Sequence, residues 1–226
     1  MYDLKNLLYV TFVQEDRYRF FLNGLGITLL LTFASFLLGT ALAVALCAAR
    51  RSRSAGAQKT AKVVMTFFME TPTMVLLMIL VYVVFGSTAL PILWAVIIGL
   101  TLKAASYLAE IFDTALSTVA PGELEAARTL GMTRWQAFRY VALPQTVSAA
   151  LPLYQNQFVA TMQETSVVGY LAVVDLTRAS SIVSSRTLDA FVGLLTVTVL
   201  YFLIGAVVKW LFRRIAARRH AGGETA

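Results

Sequence analysis

The chain has 226 residues, of which 58% are apolar and 14% are charged, and its mean hydropathy is +0.73. Soluble domains carry roughly 45–50% apolar and about 25% charged residues, so the composition argues against an ordinary soluble enzyme and against a disordered or fibrous protein. The net charge of +7 is accompanied by one cysteine, Cys47, and one histidine, His220. A disulfide framework, a metal site and Ser-His or Cys-His catalysis inside the fold are therefore not expected. The composition predicts a membrane protein.

The N-terminal segment, residues 1–19, is too short and too polar to cross a membrane. Leucines at 4, 7 and 8 are mixed with Asp3 and Lys5. This pattern is typical of an amphipathic helix that lies at the membrane interface.

Five later segments are apolar over the length of about 20 residues that a membrane-spanning helix needs. They cover residues 24–49, 62–86, 91–113, 140–163 and 190–208. The second contains Glu70 and Pro72, and the third contains Lys103 and Glu110. The sequence thus predicts an all-α protein with five transmembrane helices.

The fourth span, Tyr140–Gln163, differs from the others because it is uncharged but rich in amides and prolines. Pro144 and Pro152 are expected either to break it or only to bend it, and three amide side chains follow at 155–157. We expect this span to face protein or water rather than lipid.

The distribution of lysine and arginine predicts the orientation of the chain. Residues 50–62, 128–139 and 209–219 hold thirteen of the nineteen basic residues, and all three segments lie on one side of a five-span protein. This side is predicted to be cytoplasmic, which puts the C-terminus in the cytoplasm and the N-terminus outside. The net charge of +7 is then explained by the basic residues on the cytoplasmic side, and no nucleic-acid partner is needed to account for it.

The loop between the third and fourth spans, residues 118–145, has the signals of two short helices. Pro121 suits a first helical turn, and Gly131 suits a left-handed residue after the helix end. Thr133 and Gln136 have the spacing of a capping box for the second helix. Pro144 is expected to end that helix or to kink the entry into the fourth span.

The same loop carries a long pattern, E-A-A-x3-G-x9-V-x-L-P, over Glu125, Ala126, Ala127, Gly131, Leu143 and Pro144. With isoleucine at the valine position, this is the pattern of the coupling loop in the membrane subunits of bacterial ABC importers, and the chain resembles that family. We therefore expect these six residues to couple the chain to an ATPase.

Further segments resemble the polar amino-acid permease branch of that family over roughly residues 20–212. They are Gly24 with Thr28 and Gly39, Thr71-Pro72, Ser106–Ile111, Glu164–Val167 and Asp175–Ala179. Three positions depart from that branch: Glu70 stands near its usual arginine, Asp113 replaces an arginine, and Gln163-Glu164 replaces Lys-Asp. The departures put the identity of the substrate in doubt.

The resemblance implies the binding-protein-dependent ABC importer permease fold, with a transmembrane domain at 20–213 and a basic cytoplasmic tail at 214–226. It implies a multi-pass subunit of the bacterial inner membrane that translocates a polar amino acid. The implied partners are two ATP-binding subunits, a second permease of the same or a different kind and an extracytoplasmic solute-binding protein. ATP and Mg²⁺ belong to the ATPase, and this chain has no G-x4-G-K-[ST] phosphate loop.

Charges inside the membrane are costly and often mark a pathway. Lys103, Ser106, Tyr107 and Glu110 share one face of the third span because of their spacing. With Glu70, Met162, Glu164 and Thr165 they form the predicted substrate pathway. Lys103 with Glu110 or Glu164 could bind the two charges of an amino acid. Alternatively, Lys103 pairs with Glu70 or Glu110 only to neutralise charge.

Two other functions remain open at this point. An intramembrane enzyme would use Glu70, Glu110 and Glu164 as a catalytic set, although no motif organises them. In a stand-alone channel or scaffold, the loop at residues 118–145 would have no required partner. The polar segment Asp175–Asp189 is predicted to be external, where it could contact a binding protein or simply be a solvated helix.

Overall fold

A computed structural model describes the backbone of residues 6 and 8–223 and the side chains of these residues as far as 214. Every regular element in the described part is helical. Residues 1–5 and 7 of the predicted interfacial segment lie outside the description. The rest of that segment contains a π-helical turn, Tyr9–Val13, and a 3-10 turn, Gln14–Asp16.

Three helices are long and apolar enough to cross a membrane by themselves. They are α1 (Tyr18–Arg50), α4 (Ile92–Ser117) and α8 (Phe191–Gly223). Helix α1 packs most extensively against α4, where a Cβ atom on Gly39 would lie only 3.1 Å from Ala104 Cβ. Helix α8 continues through residue 214, so the predicted tail has no backbone break at its start.

The predicted second span is two helices, α2 (Ala55–Glu70) and α3 (Thr73–Val84), whose axes differ by 105°. The expectation of one continuous helix was wrong. Thr71 and Pro72 have extended backbone angles, because the proline ring disfavours the helical conformation of the residue before it and cannot donate a hydrogen bond. The break lies beside the middle of α4.

Helix α5 (Pro121–Thr129) is short and is followed by the long helix α6 (Arg134–Leu171). Of the two alternatives for the prolines of the fourth span, the break was wrong, since α6 passes through both Pro144 and Pro152. A π-helical turn at Phe138–Ala142 precedes Pro144, and the Leu143 N–H donates five residues back to the Phe138 carbonyl. This wider turn shifts the hydrogen-bond register at the point where Pro144 cannot donate.

Helix α7 (Leu176–Thr187) is bent by 49° from α6 and packs against α1 and α8. Asp175 caps its N-terminus by accepting hydrogen bonds from the Thr177 and Arg178 N–H groups. The polar segment after the fourth span is thus built into the protein, with Leu176 and Val183 fully buried.

The core is divided along the length of α4. One cluster packs α3 against α1 and the first half of α4, around Leu31, Leu77 and Leu100. A second cluster packs α2, α6 and the second half of α4, around Met65, Leu108 and Phe158. The break between α2 and α3 therefore lies between two apolar layers. If each bent helix pair is one span, the chain has up to five spans.

Candidate functional site

The break between α2 and α3 exposes backbone carbonyls that a continuous helix would have used. The Lys103 ammonium donates to the Thr71 carbonyl at 2.6 Å, and the Tyr107 hydroxyl donates to the Met69 carbonyl at 3.2 Å. Lys103 is only 4% exposed. Because carbonyls at a helix end carry partial negative charge, they are suitable partners for a buried cation.

Glu164 lies on the other side of this break, near the end of the regular α-helical part of α6. Thr73, at the start of α3, and Lys103 are its polar neighbours. Its Oε2 atom is buried and has no hydrogen-bond partner among the described residues. A buried acceptor without a partner is costly, so it marks a place where a ligand donor could bind.

Three other residues of the predicted pathway serve local packing. Met162 is fully buried. The Ser106 hydroxyl donates to the Leu102 carbonyl at 2.9 Å, and the Thr165 hydroxyl donates to the Met162 carbonyl at 2.7 Å. Both hydroxyl donors are therefore used within their own helices.

The remaining carboxylates of the predicted pathway do not join Lys103. Glu70 is exposed at the last residue of α2, and Glu110 pairs with Arg50 of α1. The expected pairing of Lys103 with Glu70 or Glu110 is therefore wrong, because the carbonyl of Thr71, which directly follows α2, is the partner instead. Since Arg50 holds Glu110 in a separate charge cluster, the structure offers no support for a catalytic set of the three glutamates.

Glu110 belongs to a cluster of charges at the C-terminal ends of α1 and α4. Arg50 Nε lies 3.1 Å from Asp113 Oδ2, and Arg51 donates to the Asp113 carbonyl at 2.8 Å and to the Ser117 hydroxyl at 2.6 Å. No local sequence pattern connects Arg50 and Arg51 with α4. The two carboxylates offset the two guanidinium charges, so the cluster joins the two helices.

The loop between α4 and α6 has the predicted local structure. Pro121 lies in the first turn of α5, and Gly131 has a φ of +89°, which an L-residue with a side chain rarely adopts. Thr133 and Gln136 form the capping box: the Gln136 N–H donates to Thr133 Oγ1 at 3.3 Å, and the Thr133 N–H donates to Gln136 Oε1 at 2.8 Å. Of the two alternatives for Pro144, the helix end is wrong, because the helix continues into the fourth span.

The surface of this helical hairpin combines exposed acidic, small and apolar groups. Glu125 and Ala126 are exposed, whereas Ala127 is buried against the hairpin. Leu130 is 83% exposed, and Trp135 and Tyr140 are each 68% exposed. The motif did not identify these three residues, although large apolar residues inside a charged loop are a signal of a contact surface.

The hairpin is attached to the start of α6. The Gln145 side chain donates to the Glu123 carboxylate, which ties α6 to α5. Leu143 is half-buried and Pro144 is exposed. A displacement of α5 would therefore be passed to α6, which runs from the hairpin to Glu164 and beyond.

Comparisons with known proteins agree with this arrangement. The family described as binding-protein-dependent transport system inner membrane component matches residues 36–220. The probable amino-acid ABC transporter permease protein YckA of Bacillus subtilis is 30% identical over 91% of this chain and 91% of its own. The histidine/lysine/arginine/ornithine transport system permease protein HisM of Salmonella typhimurium is 31% identical over 90% of each chain.

Solved structures share the fold as well. The chain is similar to a crystal structure of an amino acid ABC transporter with histidines, with a TM-score of 0.83 and 28% identity over 96% of this chain and 99% of that one. The MetNI methionine ABC transporter in an inward-facing conformation has a TM-score of 0.75 over 91% of this chain and 99% of that one. At 23% identity, that second similarity shows the fold alone.

Proposed function

The chain belongs to the binding-protein-dependent transport system inner membrane components and is a permease subunit of an amino-acid ABC importer, and we propose how its parts perform that transport. The observation that carries the proposal is the capped helical hairpin α5–α6, which has an exposed apolar surface and continues directly into a membrane helix.

The proposed topology has five crossings, with α2–α3 and α6 as the second and fourth. The hairpin, the Arg50–Arg51 end of α1 and the basic end of α8 then lie on the cytoplasmic side of the bacterial inner membrane. The positive-inside rule supports this orientation. The arginines at the end of α1 and the start of α6 support it further, because Arg51 at the end of α1 lines one cavity together with Phe138 and Leu143 of α6.

The proposed coupling surface consists of Glu125, Ala126, Gly131, Leu130 and Trp135. It would dock into a groove on one of two ATP-binding subunits, and the second permease would dock on the other. These two subunits hold the ATP and Mg²⁺ and perform the hydrolysis. Closure of the ATPases would move α5, and the capping box and the tie to α6 would transmit the movement. A rigid helical connection is required for this, since a flexible loop would absorb the displacement.

Two substitutions test the coupling surface. We expect Gly131→Val to abolish amino-acid uptake and co-purification of the ATPase, because valine is strained at a φ of +89°. Glu125→Lys should reduce both by reversing an exposed charge. Gly122→Ala is the matched control, since Gly122 has open space around it and no positive φ. Full uptake and normal ATPase recovery in Gly131→Val would contradict the coupling role.

The proposed substrate site lies at the break between α2 and α3. The unpartnered Glu164 oxygen would accept a hydrogen bond from the substrate ammonium. The substrate carboxylate would lie toward the start of α3 and the Lys103 charge, since helix N-termini and cations both favour anions. Broken helices near the membrane centre are a common way to build such sites. The substrate class that fits is a polar amino acid.

Comparison of two glutamates tests this site. We expect Glu164→Gln to weaken uptake about tenfold or more, because it removes the charge facing the substrate ammonium. Glu70→Gln, the same change at an exposed carboxylate, should have a much smaller effect. The measurement is the concentration dependence of uptake in cells with equal amounts of assembled transporter. An equal loss in both variants would contradict recognition by Glu164 in particular.

A second permease, identical or different, and an extracytoplasmic binding protein would complete the assembly. The surface proposed for the binding protein is the segment around α7, because it is polar and lies at the end of the protein opposite the hairpin. Purification in mild detergent, followed by mass spectrometry of the co-purified chains, identifies the partners. Recovery of this chain without any ATPase would argue against the importer assembly.

A further inference from the structure

A groove of about 530 Å³ runs between α6 and α8, and no residue of the break or of the hairpin lines it. Its wall includes Val159 and Gln163 of α6 and Tyr201, Gly205, Lys209 and Arg213 of α8. From Thr198 to Arg213 the lining covers about 22 Å of helix, at about 1.5 Å per residue. This length is more than half the thickness of a hydrocarbon core, which is about 30 Å.

The central part of the groove is narrow and apolar. Gly205 faces Val159, and a Cβ atom on Gly205 would lie 3.6 Å from Val159 Cγ1, which is an ordinary contact distance. Gly205 is buried and packs close to Val159, with space for little more than a methyl group between them. Phe202 and Ala206 are exposed and line the groove beside this contact, where an extended hydrocarbon chain can lie.

One end of the groove carries two cations on the same side of α8. Lys209 and Arg213 are separated by one helical turn, and neither forms an ion pair within residues 6 and 8–214. The arginines of the α1 end, by contrast, are offset by Glu110 and Asp113. Trp210 lies between the two cations, and tryptophan is enriched at the level of the lipid headgroups.

We propose that this groove binds one anionic phospholipid of the leaflet next to the C-terminal end of α8. The phosphate lies between Lys209 and Arg213, and one acyl chain lies along Phe202 and Ala206. Basic pockets between membrane helices are a known way to hold anionic headgroups, and the attraction is about 1 kcal/mol per basic residue. Neither the coupling role nor the substrate site is needed for this assignment.

The first test compares two lipids on the detergent-purified importer complex by native mass spectrometry. The probes are phosphatidylglycerol and phosphatidylcholine with identical acyl chains. We expect phosphatidylglycerol to bind more tightly, and its affinity to fall about fivefold in Lys209→Gln and about thirtyfold in the Lys209→Gln, Arg213→Gln double variant. Arg214→Gln is the matched control, because Arg214 stacks on the outer face of Trp210 and does not line the groove. Equal binding of the two lipids by the natural chain would overturn the proposal.

The second test fills the groove without changing its charge. Ala206→Leu places a larger side chain on the exposed wall of the groove, so phosphatidylglycerol retention should fall at least tenfold. Val207→Leu adds a methylene on an exposed face of the same helix and should leave retention unchanged. Unchanged retention in Ala206→Leu would contradict the acyl-chain position.

A third measurement asks whether protein covers the groove instead. Cys47 is buried and is the only native cysteine, so Ala206→Cys introduces a single reactive thiol in the groove. We expect no disulfide between copies of the chain on oxidation in membranes. Efficient cross-linking would identify the groove as a contact between two copies and would overturn the lipid assignment.

Discussion

Helix α4 carries charge at two places, and the protein compensates the charge in two different ways. Near its middle, Lys103 is almost completely buried and donates to the Thr71 carbonyl. Near its end, Glu110 and Asp113 are partly exposed and pair with Arg50 and Arg51. One charge is held by a broken helix and the others are held by ion pairs.

The difference follows from the surroundings of each charge. In a low-dielectric interior a second full charge must also lose its water, so a carbonyl at a helix end is a less costly partner for a cation. Near the end of a span, water still reaches both groups and an ion pair of long side chains is sufficient. The buried charge is therefore tied to the backbone conformation of the break, whereas the exposed pairs depend mainly on side chains.

The largest effect is expected at the buried site. Lys103→Met keeps much of the side-chain volume but leaves the Thr71 carbonyl without its donor, which costs about 1–3 kcal/mol of stability. We expect a lower thermal unfolding temperature of the detergent-purified complex and a loss of uptake. Tyr107→Phe removes the neighbouring hydrogen bond to Met69 and should have a smaller effect. A Lys103→Met complex with unchanged stability would contradict a structural role for the lysine at the break.

A smaller loss is expected at the opposite end of α1, where contact with α7 holds the helix by close packing and not by charge. A Cβ atom on Gly24 would lie 2.7 Å from the Asp175 carbonyl oxygen, so Gly24→Ala should destabilise the protein by roughly 1–2 kcal/mol. Gly26→Ala is the matched control on the same helix, because nothing lies within 4 Å of its Cβ position. Thermal unfolding of both variants is the measurement. Equal unfolding temperatures would show that α1 and α7 separate easily.

The smallest effect is expected for the ion pairs at the end of α4. A double-mutant cycle with Arg50→Met and Glu110→Gln should give a coupling energy of about 0.2–1 kcal/mol, which decreases at high salt. The same cycle on the exposed pair Arg19–Asp16 should give a value near zero. A coupling energy as large as the Lys103 effect would remove the contrast between the two regions of α4.

The hairpin could be predicted from the sequence almost completely. Pro121, Gly131, Thr133 and Gln136 act within a few residues along the chain, and each is found in the backbone or hydrogen-bond arrangement that its position indicates. The same local reasoning left two alternatives for Pro144, and the helix end is wrong because a π-helical turn in front of the proline allows the helix to continue. A shift of hydrogen-bond register has no clear signature in residue types.

The substrate pathway could be predicted only in outline. The helical spacing of Lys103 and Glu110 correctly placed both on α4, and their residue types marked them as unusual in a membrane span. Their partners were predicted wrongly: Lys103 binds a backbone carbonyl, and Glu110 binds an arginine sixty residues away. Glu164 was identified by resemblance to the permease branch. Only the tertiary structure shows that its Oε2 atom is buried without a hydrogen-bond partner among the described residues.

By itself, the sequence determined the helical membrane class, the family and the local structure of the hairpin, because apolar length, a long motif and capping residues act along the chain. Only the tertiary structure decided where α2 ends, which carbonyl accepts the hydrogen bond from Lys103, and which carboxylates pair with the arginines at the end of α1. The physical reason is that helical periodicity sets the face on which a side chain lies, but the packing of other helices sets what that face meets. In a low-dielectric interior, that partner decides whether a charge is held for stability or remains available to a substrate.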